Sequence, residues 1–174
     1  MTGRTHATIG ANTVWLAVLL GMVDQFSIVY IVIGAFVALL PDLDADDAYI
    51  HHIGGGAFNG YKNIAKHRTY FHSLIPVALL FFLSLIFLRQ FHPLMPWIIA
   101  LAYFSHIFLD GLNYPGVELL SPKKKRYHFI PKKFRVKNKG LIDSGLFITG
   151  ILALLAFLMF HYMPIINQSI STIK

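Results

Sequence analysis

The stretch from Leu141 to Met163, LIDSGLFITGILALLAFLMFHYM, holds one aspartate, no lysine or arginine, and a nearly unbroken run of apolar side chains. At a rise of ~1.5 Å per residue, a helix of this length exceeds the ~30 Å hydrocarbon core of a bilayer. It is the clearest transmembrane segment in the chain. The whole chain of 174 residues shares its character, with 56% hydrophobic and only 13% charged residues and a mean hydropathy of +0.60. Average soluble chains are about a quarter charged, because a water-facing surface needs charge. An ordinary soluble enzyme, a disordered tail and a coiled coil are therefore disfavoured. The length suits one domain, residues 1–174. Arg4 could open a leader, but no small-residue cleavage pattern follows, so the first residues are expected in the mature protein.

Upstream of this helix lies a polar loop over about 113–140, with prolines at 115, 122 and 131. Nine of the fifteen Lys and Arg residues fall between Lys123 and Lys139. Such a cluster beside a membrane helix marks the cytoplasmic side and attracts anionic headgroups. Nucleic-acid binding would use a similar mixture of charge and aromatics, but the membrane flank makes the lipid reading the simpler one. Further upstream, Leu94 to about Leu112 and Leu74 to Leu88 read as apolar helices joined by the turn Arg89–Pro93. Val14 to Leu40 reads as a hairpin of two short helices turning at Asp24-Gln25, since a charged pair is costly at mid-membrane depth. Pro41 ends that region. A short helix near 45–52 is then broken by Gly54-Gly55-Gly56. The expected fold is all-α, an integral membrane bundle of about four to five hydrophobic helices with a polar metal-site loop at one membrane face.

Counting five crossings puts residues 1–13, 41–72 and 113–140 on the cytoplasmic face and residues 24–25 and 89–93 on the other. The polar side chains then converge. Ser105-His106-Ile107-Phe108-Leu109-Asp110 sets histidine and aspartate four residues apart, on one helical face and close enough to share a metal ion. Pro41-Asp42-Leu43-Asp44 offers two carboxylates, pointing apart if the turn is extended. His67-Arg68-Thr69-Tyr70-Phe71-His72-Ser73 brackets an arginine, a residue shaped to grip phosphate, between two imidazoles. His6 precedes the first apolar helix. With no cysteine in the chain, a transition-metal site must use histidine and carboxylate, a set suited to zinc, manganese or iron. Plainer alternatives stand beside each motif. His106 and Asp110 could simply bond helices together, Asp44 could cap a helix, and His67 to His72 could be an interfacial anchor. His51 and His52 suit a loop role, His128 the basic surface, and His92 and His161 the opposite side. Glu118 is a reserve ligand.

Taken in order, Thr5-His6, Leu39-Leu40-Pro41-Asp42-Leu43-Asp44, His67-Arg68 with His72-Ser73, Ser105-His106 with Asp110, and the stretch from Gly116 to Pro122 resemble the YdjM-like family of bacterial membrane-bound metal-dependent hydrolases. The resemblance runs from about residue 5 to 135. Thr69 and Phe71 stand where that family commonly has glycine and threonine. The family is in turn remotely similar to zinc-dependent phospholipase C and related zinc nucleases. The resemblance implies a multi-pass protein of the bacterial inner membrane that hydrolyses a phosphoester, possibly drawn from the lipids around it. Its expected ligands are His6, Asp42, Asp44, His67, His72, His106 and Asp110. These are enough for more than one divalent ion, zinc first. Asp42 or Asp44 would orient water or act as base. Arg68, with Lys66, would neutralise the phosphoryl oxygens. A rival reading keeps the same ligands in a non-catalytic protein that binds or carries a divalent metal. A third makes them helix-bonding groups of a scaffold.

Overall fold

The computed structural model describes residues 1–22, 27–44, 49, 70–137 and 140–173, with Asp44 and residues 164–173 described by their backbone alone. Helix α1, Gly3–Ala11, runs through a 3-10 turn, Asn12–Val14, into the short α2, Trp15–Leu19. The junction residues keep helical backbone angles, so the three pieces form one rod. The rod stops at Gly21, whose φ of 64° is left-handed. Met22 N–H bonds the Ala17 carbonyl at 2.8 Å and Gly21 N–H bonds that of Val18 at 3.1 Å. This is the glycine-terminated Schellman geometry that closes a helix end. His6 therefore lies within a helix, not in a tail before one. The chain folds back as α3, Ser27–Val37, and the hairpin expected over 14–40 extends to the N-terminal residues. Its proposed turn, Asp24-Gln25, lies outside the described residues.

The rod and α3 meet at two glycines. A methyl on Gly10 would lie 2.4 Å from the Gly34 carbonyl oxygen and 2.3 Å from Ala38 Cβ, and one on Gly34 would lie 2.3 Å from the Gly10 oxygen. Main chain touches main chain here, which only glycine permits. After α3 the chain tightens into a 3-10 turn, Leu40–Asp44, so Asp42 and Asp44 sit on a wound segment and not on the extended one expected. The expected short helix near 45–52, His51, His52 and Gly54–Gly56 lie outside the described residues.

Helix α4, Leu74–Phe87, starts at Ser73, whose Oγ accepts from Ile75 N–H at 3.3 Å and donates to the Tyr70 carbonyl at 2.8 Å. Pro76 sits in its first turn, where no intrahelical N–H is needed. Helix α5, Met95–Gly111, returns alongside it, with Pro96 at its start. Both agree with the sequence boundaries to within a residue or two. The basic loop is ordered by main-chain pairing. Val117 and Tyr127 exchange bonds of 3.1 and 2.8 Å, and Val136 N–H bonds the Leu112 carbonyl at 2.9 Å. Helix α6, Leu141–Ile173, continues past the expected end at Met163. It packs on α1 where Asn12 Nδ2 donates to the Gly150 carbonyl at 3.0 Å.

Val14, Ala17, Tyr30, Ile98, Ala102, Tyr103, Ile107 and Phe157 form the core between these helices. The outward faces are apolar too, with Phe82 and Ile86 on α4 59% and 68% exposed, and Met159 and Phe160 on α6 61% and 76% exposed. Such faces suit lipid, not water. Among the described helices, only Leu141–Met163 is both long and apolar enough to cross a membrane; α3, α4 and α5 belong to apolar segments of 10–17 residues. Five full crossings are therefore not carried by helix length.

The glycine contact gives a direct test. Gly34→Val, with no room for its side chain, is expected to destabilise the protein by roughly 1–3 kcal/mol. Thermal unfolding in detergent would register this as a lower melting temperature, and an unchanged one would mean that α1 and α3 do not cross here.

Candidate metal centre

Four segments deliver polar side chains to one buried volume. The α1 rod brings His6, the turn after α3 brings Asp42, and the turn before α4 brings His72. The last two turns of α5 bring His106 and Asp110 on one face, as the spacing of four requires. His6, His72, His106 and Asp110 are at most 1% exposed, and the Asp42 side chain is 17% exposed.

The orientation of His106 is set by main chain. Its Nδ1 lies 2.7 Å from the Ala38 carbonyl oxygen, an atom that only accepts. Nδ1 therefore carries a hydrogen, and the Nε2 edge of the ring faces the cluster. Facing it, His72 Nε2 is 3.2 Å away. Asp42 Oδ1 completes a triangle, 3.4 Å from His106 Nε2 and 3.6 Å from His72 Nε2. The two carboxylate distances are longer than good N–H···O bonds of ~2.7–3.2 Å. They resemble another set of distances, because ligands at ~2.0–2.1 Å from a tetrahedral zinc lie roughly 3.3–3.4 Å from one another.

Asp110 links this triangle to the rest of the cluster. Its Oδ2 is 3.7 Å from His72 Nε2, and its Oδ1 is 3.3 Å from His6 Nε2. The same Oδ1 accepts from the Met1 ammonium at 2.8 Å and from Asn113 Nδ2 at 2.7 Å. The His6 ring stacks on that of His106 at 3.7 Å. His6 Nδ1 is buried with no hydrogen-bond partner among the described residues. Two three-residue sets, His6-Asp42-His106 and His72-His106-Asp110, place their ligand atoms within 4.8 Å of one another. Three imidazoles and two carboxylates are a chemically suitable set for a borderline divalent cation, which would also offset the cost of burying the two negative charges.

Burial, aided by the charge of His106, pushes the His6 pKa from 6.5 down to about 4, although Asp110 opposes the shift. Burial lowers that of His72 as well, against the pull of the Asp42 carboxylate. Neutral imidazole is the form that binds metal.

Of the seven ligands expected from sequence, five meet here: His6, Asp42, His72, His106 and Asp110. The Asp44 side chain, His67, Arg68 and Lys66 lie outside the described residues. Glu118 is instead turned to the basic loop, 3.9 Å from Arg126 Nε. His92 is hydrogen-bonded to Tyr30, His161 stacks on Phe157 at 4.8 Å, and His128 Nε2 meets the Tyr114 carbonyl at 3.0 Å. Sequence reasoning passed over Asn113, although its three-residue step from Asp110 keeps it on the same face. It also passed over the Ala38 carbonyl, which no side-chain pattern can reveal.

Helices with apolar outward faces, one of them of membrane length among the described residues, and a buried His/Asp cluster define a membrane protein with a candidate metal centre. The chain belongs to the YdjM inner membrane protein family, whose match covers residues 1–169. No curated protein and no solved structure matches it.

The depressed His6 pKa makes a prediction for the metal-free protein. Unfolded His6 takes up a proton below pH 6.5, whereas the folded form resists until about pH 4. The unfolded state then binds more protons across this window, so stability is expected to fall as pH is lowered through it. Denaturation in detergent at stepped pH measures the slope, which should be shallower in His6→Gln.

Proposed function

We propose that this protein is a membrane-bound metal-dependent hydrolase acting on a phosphoester at the cytoplasmic face of the inner membrane, with a phospholipid as the natural substrate class. The observation that carries the reading is the triangle of His72, His106 and Asp42, whose edges of 3.2, 3.4 and 3.6 Å suit one ion. Asp110 and His6, with Asp44 and His67 from the neighbouring sequence, would provide for a second. A divalent ion, zinc first, supplies acidified water and polarisation of the ester oxygen. Asp42, the most exposed of the described ligands, is suited to orient that water or take its proton. Arg68 would neutralise charge on the phosphoryl oxygens.

The shorter apolar helices would lie embedded beside α6. Lys123, Lys124, Lys125, Arg126, Lys132 and Lys133 are exposed, and Phe134 among them is 59% exposed. This mixture suits anionic headgroups at the inner leaflet, near a site that would draw its substrate from the same lipids. One observation favours a second reading. His72 and His106 are fully buried, as expected of a protein that holds or carries a metal without an open position for an ester.

Purified protein should contain stoichiometric divalent metal by elemental analysis and should hydrolyse a member of a panel of phospholipids and phosphodiesters. His106→Ala and Asp110→Ala should weaken metal binding by more than the ~10–100-fold typical of losing a residue that merely supports a ligand, and should abolish turnover. Metal without turnover in the wild type selects the carrier reading. An absence of bound metal removes both and leaves a helix-bonding cluster.

A further inference from the structure

We propose that Asp143, on the membrane-length helix α6, is a positioning residue that holds His6 in the candidate metal centre through Thr5. The proposal rests on the metal-binding reading above and adds a residue outside the ligand set.

Helix α1 has no side-chain cap of its own at Thr2. The Asp143 carboxylate serves instead. Its Oδ1 accepts from Thr2 N–H at 3.2 Å, from Thr2 Oγ1 at 3.4 Å and from Thr5 Oγ1 at 2.7 Å. Thr5 Oγ1 also approaches the Asp143 carbonyl at 3.3 Å, and the two threonine hydroxyls lie 2.9 Å apart. A carboxylate at a helix N-terminus meets both the unpaired amides and the positive end of the helix dipole. Asp143 is 2% exposed and Thr5 is fully buried, so water does not weaken the bond between them, which is charge-assisted and short.

The position of this knot gives it a function. Thr5 immediately precedes His6, and a pinned α-carbon at Thr5 fixes where the next side chain leaves the helix. His6 has little latitude. Its ring must stack 3.7 Å from His106 while its Nε2 stays 3.3 Å from Asp110. A helix end that rocked by an ångström would miss one contact or the other. Among the described residues, an open pocket of about 630 Å³ lined by Thr2, Arg4, Thr5, Tyr49, Asp143 and Phe147 adjoins the knot.

The test uses the full-length protein in detergent with Co²⁺ as the probe, read by its d–d absorption and by competition with a chelator. Thr5→Val keeps the shape of threonine and removes the hydroxyl. It should weaken Co²⁺ binding ~10–100-fold, the range typical of residues that orient a ligand, and alter the spectrum. Thr5→Ser restores the hydroxyl and should bind as the wild type does. Asp143→Ala should match Thr5→Val. If it does not fold, Asp143→Asn, which retains an acceptor without the charge, should fall between Thr5→Val and wild type. Action through His6 is isolated by a double-mutant cycle. In a His6→Ala background, Thr5→Val should cost no further affinity. Thr5→Val that lowers the melting temperature while leaving Co²⁺ affinity and spectrum unchanged overturns the proposal, as does full additivity with His6→Ala. A wild-type protein that binds no Co²⁺ overturns the metal reading first, and the positioning role with it.

Discussion

Three imidazoles and two carboxylates cannot share a water-poor volume unless positive charge lies among them. That constraint organises the structure. An unpaired buried carboxylate costs several kcal/mol even after its surroundings relax, and Asp110 answers with the Met1 ammonium and the Asn113 amide, both on Oδ1. In the triangle, the Asp42 carboxylate faces the two imidazoles of His72 and His106. The triangle has two imidazole nitrogens 3.2 Å apart, that of His106 turned inward because its Nδ1 donates to the Ala38 carbonyl. A proton or a metal cation must lie between them. The carboxylate distances are long for good hydrogen bonds and match the edges of a coordination tetrahedron. The family assignment is to inner membrane proteins, so the chemistry rests on this geometry.

Much of this was legible in the sequence, for reasons that differ by residue. His106 and Asp110 declared themselves because a spacing of four in an apolar helix leaves two polar groups on one stripe. Their meeting with His6, Asp42 and His72 was expected from chain alternation across five crossings. The helix lengths support one full crossing among the described residues, and the meeting does not need the other four, because short helices in a hairpin reverse direction as surely as long ones. The helical state of residues 3–11 was hidden. The segment is polar and small, with Thr5, Thr8 and Gly10 facing inward, so hydrophobic periodicity does not mark it. Its stability comes from contacts that appear only in three dimensions, the glycine crossing with α3 and the carboxylate of Asp143. Likewise the backbone bends Asp42 into the cluster through a 3-10 turn that Leu40-Pro41-Asp42 does not announce.

Asp143 is the lone acid between Leu141 and Met163 and belongs to no motif, so nothing in the sequence marks its role. In the fold it is buried and directed at the start of α1. The helix that anchors the protein and the helix that carries His6 are thus joined at the level of the candidate site, and the Asn12–Gly150 contact two turns on keeps them parallel in register.

The acceptor that selects the tautomer of His106 belongs to a peptide unit, not to a side chain. No exchange of the residue at position 38 can delete it. Ala38 is fully buried with its Cβ beside Gly10, so packing limits divergence there while the hydrogen-bond chemistry is left untouched. The orientation of the imidazole is in this sense inherited from the path of the chain, and it would persist through sequence drift that erased every other supporting group.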